Sequence, residues 1–211
     1  MPAVMVRAHE QPAEPPVREA HVRAGEGAVG RCYVGPMVIV IFAHPYPDRS
    51  VANRTLIESI AGLDGVEVRS LYDRYPDFAI DAEAERESLE AASTVVWQHP
   101  IQWYTVPALL KLWFERVLIN GWAWGPGGEA LRGKRCLWAV TTGGDEQDYS
   151  ESGIHGRDFE AFAPVVRRTA EFCGMAWLDP FVVWGARQLD PEMLREHGRR
   201  YRARLASLEE D

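Results

Sequence analysis

Three stretches of this chain collect residues able to bind or transfer charge. The first, AHPYPDRSVANRTL (residues 43–56), offers His44, Asp48, Arg49 and Ser50 just before a helix that starts near Asn53. Unpaired N–H groups at a helix start attract phosphate, Ser50 adds a hydroxyl, and His44 or Arg49 offsets negative charge. Ordinary capping by Ser50 or Asn53 would use the same residues. The second, HPIQWYTVPALL (99–110), crowds Gln102, Trp103 and Tyr104 at a loop tip. A planar ring can pack there while backbone groups read its polar edge; aromatics that simply cover core would look the same. The third, TTGGDEQDYSESGIHGRD (141–158), opens with Thr141, Thr142, Gly143 and Gly144, whose adjacent glycines permit close backbone approach. Tyr149 and His155 follow, and either can donate a hydrogen bond to a developing oxyanion. A histidine can also carry a proton at cellular pH. The alternative is a surface loop with incidental polar residues.

The elements between these loops predict where they meet. MVIVIFA (37–43) is a continuous apolar run of strand length, as expected of a parallel sheet buried on both faces. NRTLIESIAGL (53–63) puts Leu56, Ile57, Ile60 and Leu63 on one helical stripe. VEVRSL (66–71) is a second strand, Asp81 is the expected N-cap of a polar helix, and TVVWQHP (94–100) is a third strand. VPALLKLWFERVLIN (106–120) is strongly amphipathic, with Pro107 near its first turn. KRCLWAVTTGG (134–144) is strand four and its exit. In residues 158–174 a helix is expected, with Pro164 marking a bend or a late start. MAWLDPFVVWG (175–185) holds strand five, its paired length limited by Pro180, and 191–208 form a final helix. Strands alternating with helices predict a doubly wound, five-stranded parallel α/β sheet with helices on both faces. In such folds ligands sit beyond the carboxyl ends of the strands, where the three loops converge.

Composition narrows the function. A formal charge of -8 with no long basic run argues against nucleic acid as the main partner, while leaving room for a local basic patch. The three cysteines, Cys32, Cys136 and Cys173, are widely spaced and fit neither a disulfide framework nor a metal site. No apolar run approaches the roughly 20 residues that span a bilayer, and no signal peptide opens the chain, so a cytoplasmic location is expected. Residues 1–36, mixed in charge and rich in Pro and Gly, read as a disordered or loosely attached extension of a domain over 37–211. The alternative is a native start at Met37. GxGxxG, GxxxxGK[ST] and GxSxG are all absent, which leaves Rossmann, P-loop and serine-hydrolase readings without support.

The strings AHPYPDRSVAN, LYDRYPDF, WQHPIQWYTVPALLKLW, NGWAWGPGG and LWAVTTGG together resemble the flavodoxin-like NAD(P)H dehydrogenase (quinone) family. Within it the chain is most similar to the ancillary proteins of glutathione-regulated potassium-efflux systems, over about 37–208. The resemblance implies non-covalent FMN and a flavodoxin-like fold. It places His44 and Ser50, Val51, Ala52 and Asn53 around the phosphate and ribityl end. Ile101, Gln102, Trp103 and Tyr104 would flank the isoalloxazine ring, and Thr141, Thr142, Gly143 and Gly144 would meet its edge. Tyr149 and His155 match a tyrosine and a histidine that assist charge relay in mammalian quinone reductases. The activity implied is ping-pong, two-electron hydride transfer from NAD(P)H to a quinone or similar electrophile, without a metal. The alternative is a regulatory subunit docked on the cytoplasmic part of a potassium/proton antiporter, peripheral to the membrane, with redox activity secondary. A one-electron flavodoxin carrier is a third option. A homodimer using the aromatic-rich 103–124 region is also implied. Two departures stand out: Asp48, Arg49, Ser50 and Val51 follow the PYP string where further histidines are common, and Asn120 stands where a histidine is common before GWA. The choice between NADH and NADPH would rest on a cation for the 2'-phosphate, with Arg157, Arg132 and Lys134 as candidates.

Overall fold

A computed structural model describes residues 38–46 and 49–208, all within one compact unit, Val34–Asp211. The extension over 1–36 with Cys32, Met37 of the expected first strand, and Asp48 lie outside the described residues. The elements run β1 (Val38–Phe42), α1 (Val51–Ser59), β2 (Val66–Ser70), α2 (Leu71–Arg74), α3 (Ala82–Ala91), β3 (Thr94–Pro100) and α4 (Ala108–Val117). Then follow β4 (Arg135–Thr141), a 3-10 turn (Phe159–Ala161), α5 (Pro164–Phe172), β5 (Ala176–Trp177), β6 (Phe181–Val183) and α6 (Pro191–Ser207). The sheet order is β2-β1-β3-β4-β5, with β6 also on β4, and every pairing is parallel. β5 and β6 occupy one strand position interrupted around Pro180: β5 pairs Arg135–Cys136 and β6 pairs Ala139–Thr141. The chain thus has the doubly wound, five-position parallel sheet expected from its pattern, in the strand order that the resemblance implies.

Alternation within the central strands builds two cores. Ile39, Ile41, Val95, Trp97, Cys136 and Trp138 face the side covered by α3, α4 and α5. Val38, Val40, Val96, Leu137 and Ala139 face α1 and α6. Both faces are buried, which explains why the strands read as unbroken apolar runs. The α4 stripe of Leu109, Leu110 and Trp113 is fully buried, each side chain contributing about 1.5–3 kcal/mol of burial. On the other face α6 crosses α1 at Gly198, where a Cβ would stand 3.1 Å from that of Ser59. Asp81 caps α3 by accepting from the Ala84 N–H at 3.1 Å. Pro164 proves to be the late start of α5, whereas α1 begins at Val51, two residues before the expected start.

One buried polar group ties β2 to α3 and α4. The Glu85 side chain, 0% exposed, accepts from Arg69 Nε at 3.0 Å, Arg69 Nη2 at 2.5 Å, Tyr75 Oη at 2.6 Å and Trp113 Nε1 at 2.9 Å. Burial pushes this carboxyl up, but the bonds from Arg69, Tyr75 and Trp113 outweigh it and hold it below the usual range.

Candidate functional site

β1 and β3 are neighbours, yet the chain leaves them toward opposite sides of the sheet. This is the switch point at which a doubly wound fold opens a crevice beyond its carboxyl ends. The loop leaving β1 forms one wall. His44 is half-buried, and its Nδ1 accepts the Tyr46 N–H at 3.0 Å. The neutral ring therefore carries its proton on Nε2, and burial lowers its pKa. Arg49 lies over the Tyr46 ring at 5.8 Å and leads into Ser50, the N-cap position of α1. Ser50 is buried, but its hydroxyl makes no cap bond, and the first turn of α1 holds no acidic residue. The first N–H groups, from Val51 to Asn53, lack helical acceptors and carry the positive end of the helix dipole. This helix start is suited to a phosphate.

The Asn53 side chain, by contrast, points inward. Its Nδ2 donates to Thr141 Oγ1 at 2.9 Å, Gln98 Nε2 donates to its Oδ1 at 3.4 Å, and Tyr201 Oη donates to Gln98 Oε1 at 2.8 Å. The Thr142 hydroxyl is also engaged, donating to the Gly144 carbonyl at 2.7 Å and accepting from the Gly185 N–H at 3.2 Å. These bonds tie the exits of β1, β4 and β6 together. They use the side chains of Asn53 and Thr142 and the Gly144 carbonyl within the fold, whereas the Asn53 N–H, in the first turn of α1, has no helical acceptor. Nothing lies within 4 Å of where a Gly143 Cβ would stand, while one on Gly144 would meet Asp148 Oδ2 at 2.5 Å.

The loop after β3 is a tight turn. Gln102 and Thr105 exchange both backbone hydrogen bonds at 3.0 Å. The two residues between them, Trp103 and Tyr104, have φ of +47° and +65°. This is the geometry of a two-residue turn that favours Asn-Gly, and bulky L residues are strained in it. Trp103 is 92% exposed. An exposed tryptophan held at positive φ adds strain while stacking on no described ring, the kind of outlier that motivates a ligand-site hypothesis. The N–H groups of Trp103 and Tyr104 donate to no described residue. Ile101 anchors the turn by donating to the Thr141 carbonyl at 2.9 Å.

The third loop folds back onto this turn. Tyr104 stacks on Phe162 at 5.1 Å and meets the His155 ring edge-on at 5.6 Å. Tyr149 lies 4.2 Å from His155 and packs on Phe159, Phe162 and Trp184. Burial, then the nearby Tyr104 and Asp148, raises the Tyr149 pKa, so its phenol stays protonated and can donate. Its hydroxyl bonds to no described residue. The fold thus gathers Tyr104, Tyr149 and His155 into one wall. Phe159, Phe162 and Trp184 were not anticipated here: the first two fall in the stretch expected as helix (158–174) and Trp184 in that of strand five (175–185), where nothing in the pattern marks them as part of a wall.

Other candidates lie elsewhere. Lys134 donates to the carbonyls of Glu90 and Ala92 before β4 begins, and Arg132 pairs with Glu129 at 3.2 Å. Both sit at the amino edge of the sheet, opposite the crevice, so of the three proposed 2'-phosphate cations only Arg157 stays on the site's side. Cys136 and Cys173 are buried free thiols, and burial pushes Cys173 up to about 11; both are core residues. Among the described residues no group of three His, Cys, Asp or Glu could hold a metal. An apolar groove of about 1130 Å³ lies away from the crevice, between α4 and α5, lined by Phe114, Leu118, Trp124, Phe172 and Trp177.

Comparison with known proteins agrees with this architecture. A family described by its flavodoxin-like fold matches residues 37–205. The glutathione-regulated potassium-efflux system ancillary protein KefF of Klebsiella aerogenes is 49% identical over 174 residues, 82% of this chain and 97% of the relative. Among solved structures, general stress protein 14 of Treponema denticola in complex with FMN is 32% identical, with a TM-score of 0.77, over 82% of this chain and 99% of that one. A structure described as the thermophilic tryptophan halogenase of Streptomycin violaceusniger is 35% identical, with a TM-score of 0.77, over 79% of this chain and 97% of that one.

Proposed function

This chain belongs to the family with the flavodoxin-like fold, alongside the ancillary proteins of glutathione-regulated potassium-efflux systems, and from that premise we propose that it is an FMN-binding ancillary subunit of a potassium/proton antiporter. We propose further that the bound flavin gives it NAD(P)H:quinone oxidoreductase activity. From the sequence alone the free enzyme is the first expectation and the subunit the alternative. Identity of 49% across 97% of a relative named as an efflux-system ancillary protein favours the subunit. No described helix is long and apolar enough to cross a membrane, so attachment to a membrane would run through the transporter's cytoplasmic part.

The observations that carry the flavin reading are the strained, exposed Trp103–Tyr104 turn and the start of α1 without a side-chain cap, which follow the carboxyl ends of the neighbouring parallel strands β3 and β1. The residues fit FMN. His44 Nε2–H, the Ser50 hydroxyl and the N–H groups of Val51, Ala52 and Asn53 would hold the phosphate, with Arg49 adding positive charge. The backbone of Ile101 to Tyr104 and of Gly143–Gly144 would meet the ring, while the Thr141 and Thr142 hydroxyls brace the strand exits. When bound, FMN supplies two-electron hydride chemistry between NAD(P)H and a quinone or similar electrophile. Tyr149 would donate its phenol proton toward oxygen as negative charge grows there, and the adjacent His155 would exchange protons with it. The α4–α5 groove, with Phe172 and Val165 exposed at 56% and 72%, supports a homodimer.

The test is an absorbance spectrum of the purified protein, then anaerobic NADH or NADPH, then quinone, with parallel pull-down on the antiporter's cytoplasmic domain. Flavin bands that bleach and recover, together with capture by the domain, are expected. Capture with unresponsive flavin would leave regulation alone; a protein that takes up no FMN would overturn the flavin assignment.

A further inference from the structure

His99, the penultimate residue of β3, is fully buried, and the flavin reading gives it no task. Its Nε2 lies 2.8 Å from Trp138 Nε1 on β4, and its Nδ1 lies 2.9 Å from the Pro100 carbonyl oxygen. An indole N–H can only donate and a carbonyl can only accept. Nε2 must therefore accept, and Nδ1 must carry the proton and donate to Pro100. A single tautomer satisfies both partners, whereas an imidazolium would set two N–H donors against each other. Burial pulls the His99 pKa down to about 4, against the Pro100 bond, which raises it. The ring is thus neutral around pH 7.

The two partners lead to different walls of the crevice. Pro100 opens the segment that becomes the Trp103–Tyr104 turn. Trp138 stacks on Phe159 at 5.3 Å and 20°, and Phe159 packs edge-on against Tyr149 at 5.8 Å. We infer that His99 is a positioning residue that, through the Pro100 carbonyl and the Trp138 indole, holds the 101–104 turn and the Tyr149 wall in one fixed relation. The inference rests on the flavin reading for its effect on binding, but the hydrogen-bonded joint itself does not. A histidine that merely fills core would be replaceable by an apolar ring of similar size.

The experiment compares His99→Phe, His99→Gln and Trp138→Phe by FMN titration at pH 7, with thermal melting of each and 15N NMR of the wild-type histidines. Removing one partner of a buried hydrogen bond should weaken FMN about tenfold in His99→Phe and Trp138→Phe. His99→Gln, whose amide can still accept from Trp138, should recover to within about threefold of wild type. If His99→Phe does not fold, the contrast between His99→Gln and Trp138→Phe carries the test. The wild-type 15N shifts should show a protonated Nδ1 and a bare Nε2 without any flavin; the opposite tautomer would overturn the inference. So would folded His99→Phe and Trp138→Phe proteins that bind FMN as tightly as wild type. A wild-type protein that takes up no FMN, with the expected tautomer present, would overturn the flavin reading instead.

Discussion

Replacing Trp103 by Asn should make the protein more stable and its flavin site worse. Trp103 and Tyr104 hold φ of +47° and +65° at the two central positions of their turn. A left-handed conformation costs an ordinary L residue about 1–2 kcal/mol, and Asn considerably less. The Trp103 side chain is 92% exposed and stacks on no described ring, so its removal forfeits little packing. The balance is a gain of about 0.5–1 kcal/mol, or about 1–4 °C in Tm for a domain of this size. Tyr104→Gly relieves comparable strain but loses the 5.1 Å stack on Phe162, worth about 0.5–1.5 kcal/mol, and should come out near neutral. The assay is urea unfolding of the flavin-free protein at pH 7, followed by FMN titration of the same samples. A higher midpoint with unchanged m-value, and FMN binding weakened about tenfold, is expected. A lower midpoint would refute the strain argument, and a higher one with unchanged FMN affinity would refute the claim that the strain is kept for the ligand.

Three further outcomes follow from the same geometry. Ser50→Ala should weaken FMN while leaving the unfolding midpoint nearly unchanged, because the hydroxyl makes no cap bond; equal FMN occupancy by absorbance would remove Ser50 from the site. Glu85→Gln should cost about 1–3 kcal/mol in urea unfolding, because it removes the buried charge opposite Arg69 and leaves Arg69 ion-paired only with the half-exposed Glu67 at 2.8 Å. Because the folded Glu85 pKa is depressed, its stabilisation is present above the ordinary value of 4.5 and is lost as pH falls through the folded value. The stability gap between wild type and Glu85→Gln should therefore narrow in acid, and a constant gap would contradict this. His155→Gln should lower steady-state quinone reduction with flavin still bound, and unchanged rates would end its proposed role in proton exchange.

Much of the fold was legible because local pattern and global architecture agree. Unbroken apolar runs such as VIVIF suit only strands covered on both faces, and the α4 stripe can be buried on only one side. Asp81 and Pro164 marked helix starts by local chemistry that needs no distant partner. The strings around His44, Trp103 and Thr141 located the candidate crevice, since exits of parallel strands fall at one edge once the alternation is recognised. What each side chain does there was settled only by partners far along the chain. Asn53 and Thr141, 88 residues apart, turn their polar groups toward each other, and Gln98 reaches Tyr201 across 103 residues. Lys134 and Arg132 looked available for a phosphate until the sheet put them at its opposite edge. The left-handed backbone of Trp103 and Tyr104, the Tyr149–His155 wall and the His99–Trp138 joint leave no trace in periodicity or composition. A sequence pattern records which residues must be buried, whereas hydrogen-bond partners and strained dihedrals arise from three-dimensional closure, where segments distant in sequence compete for the same space.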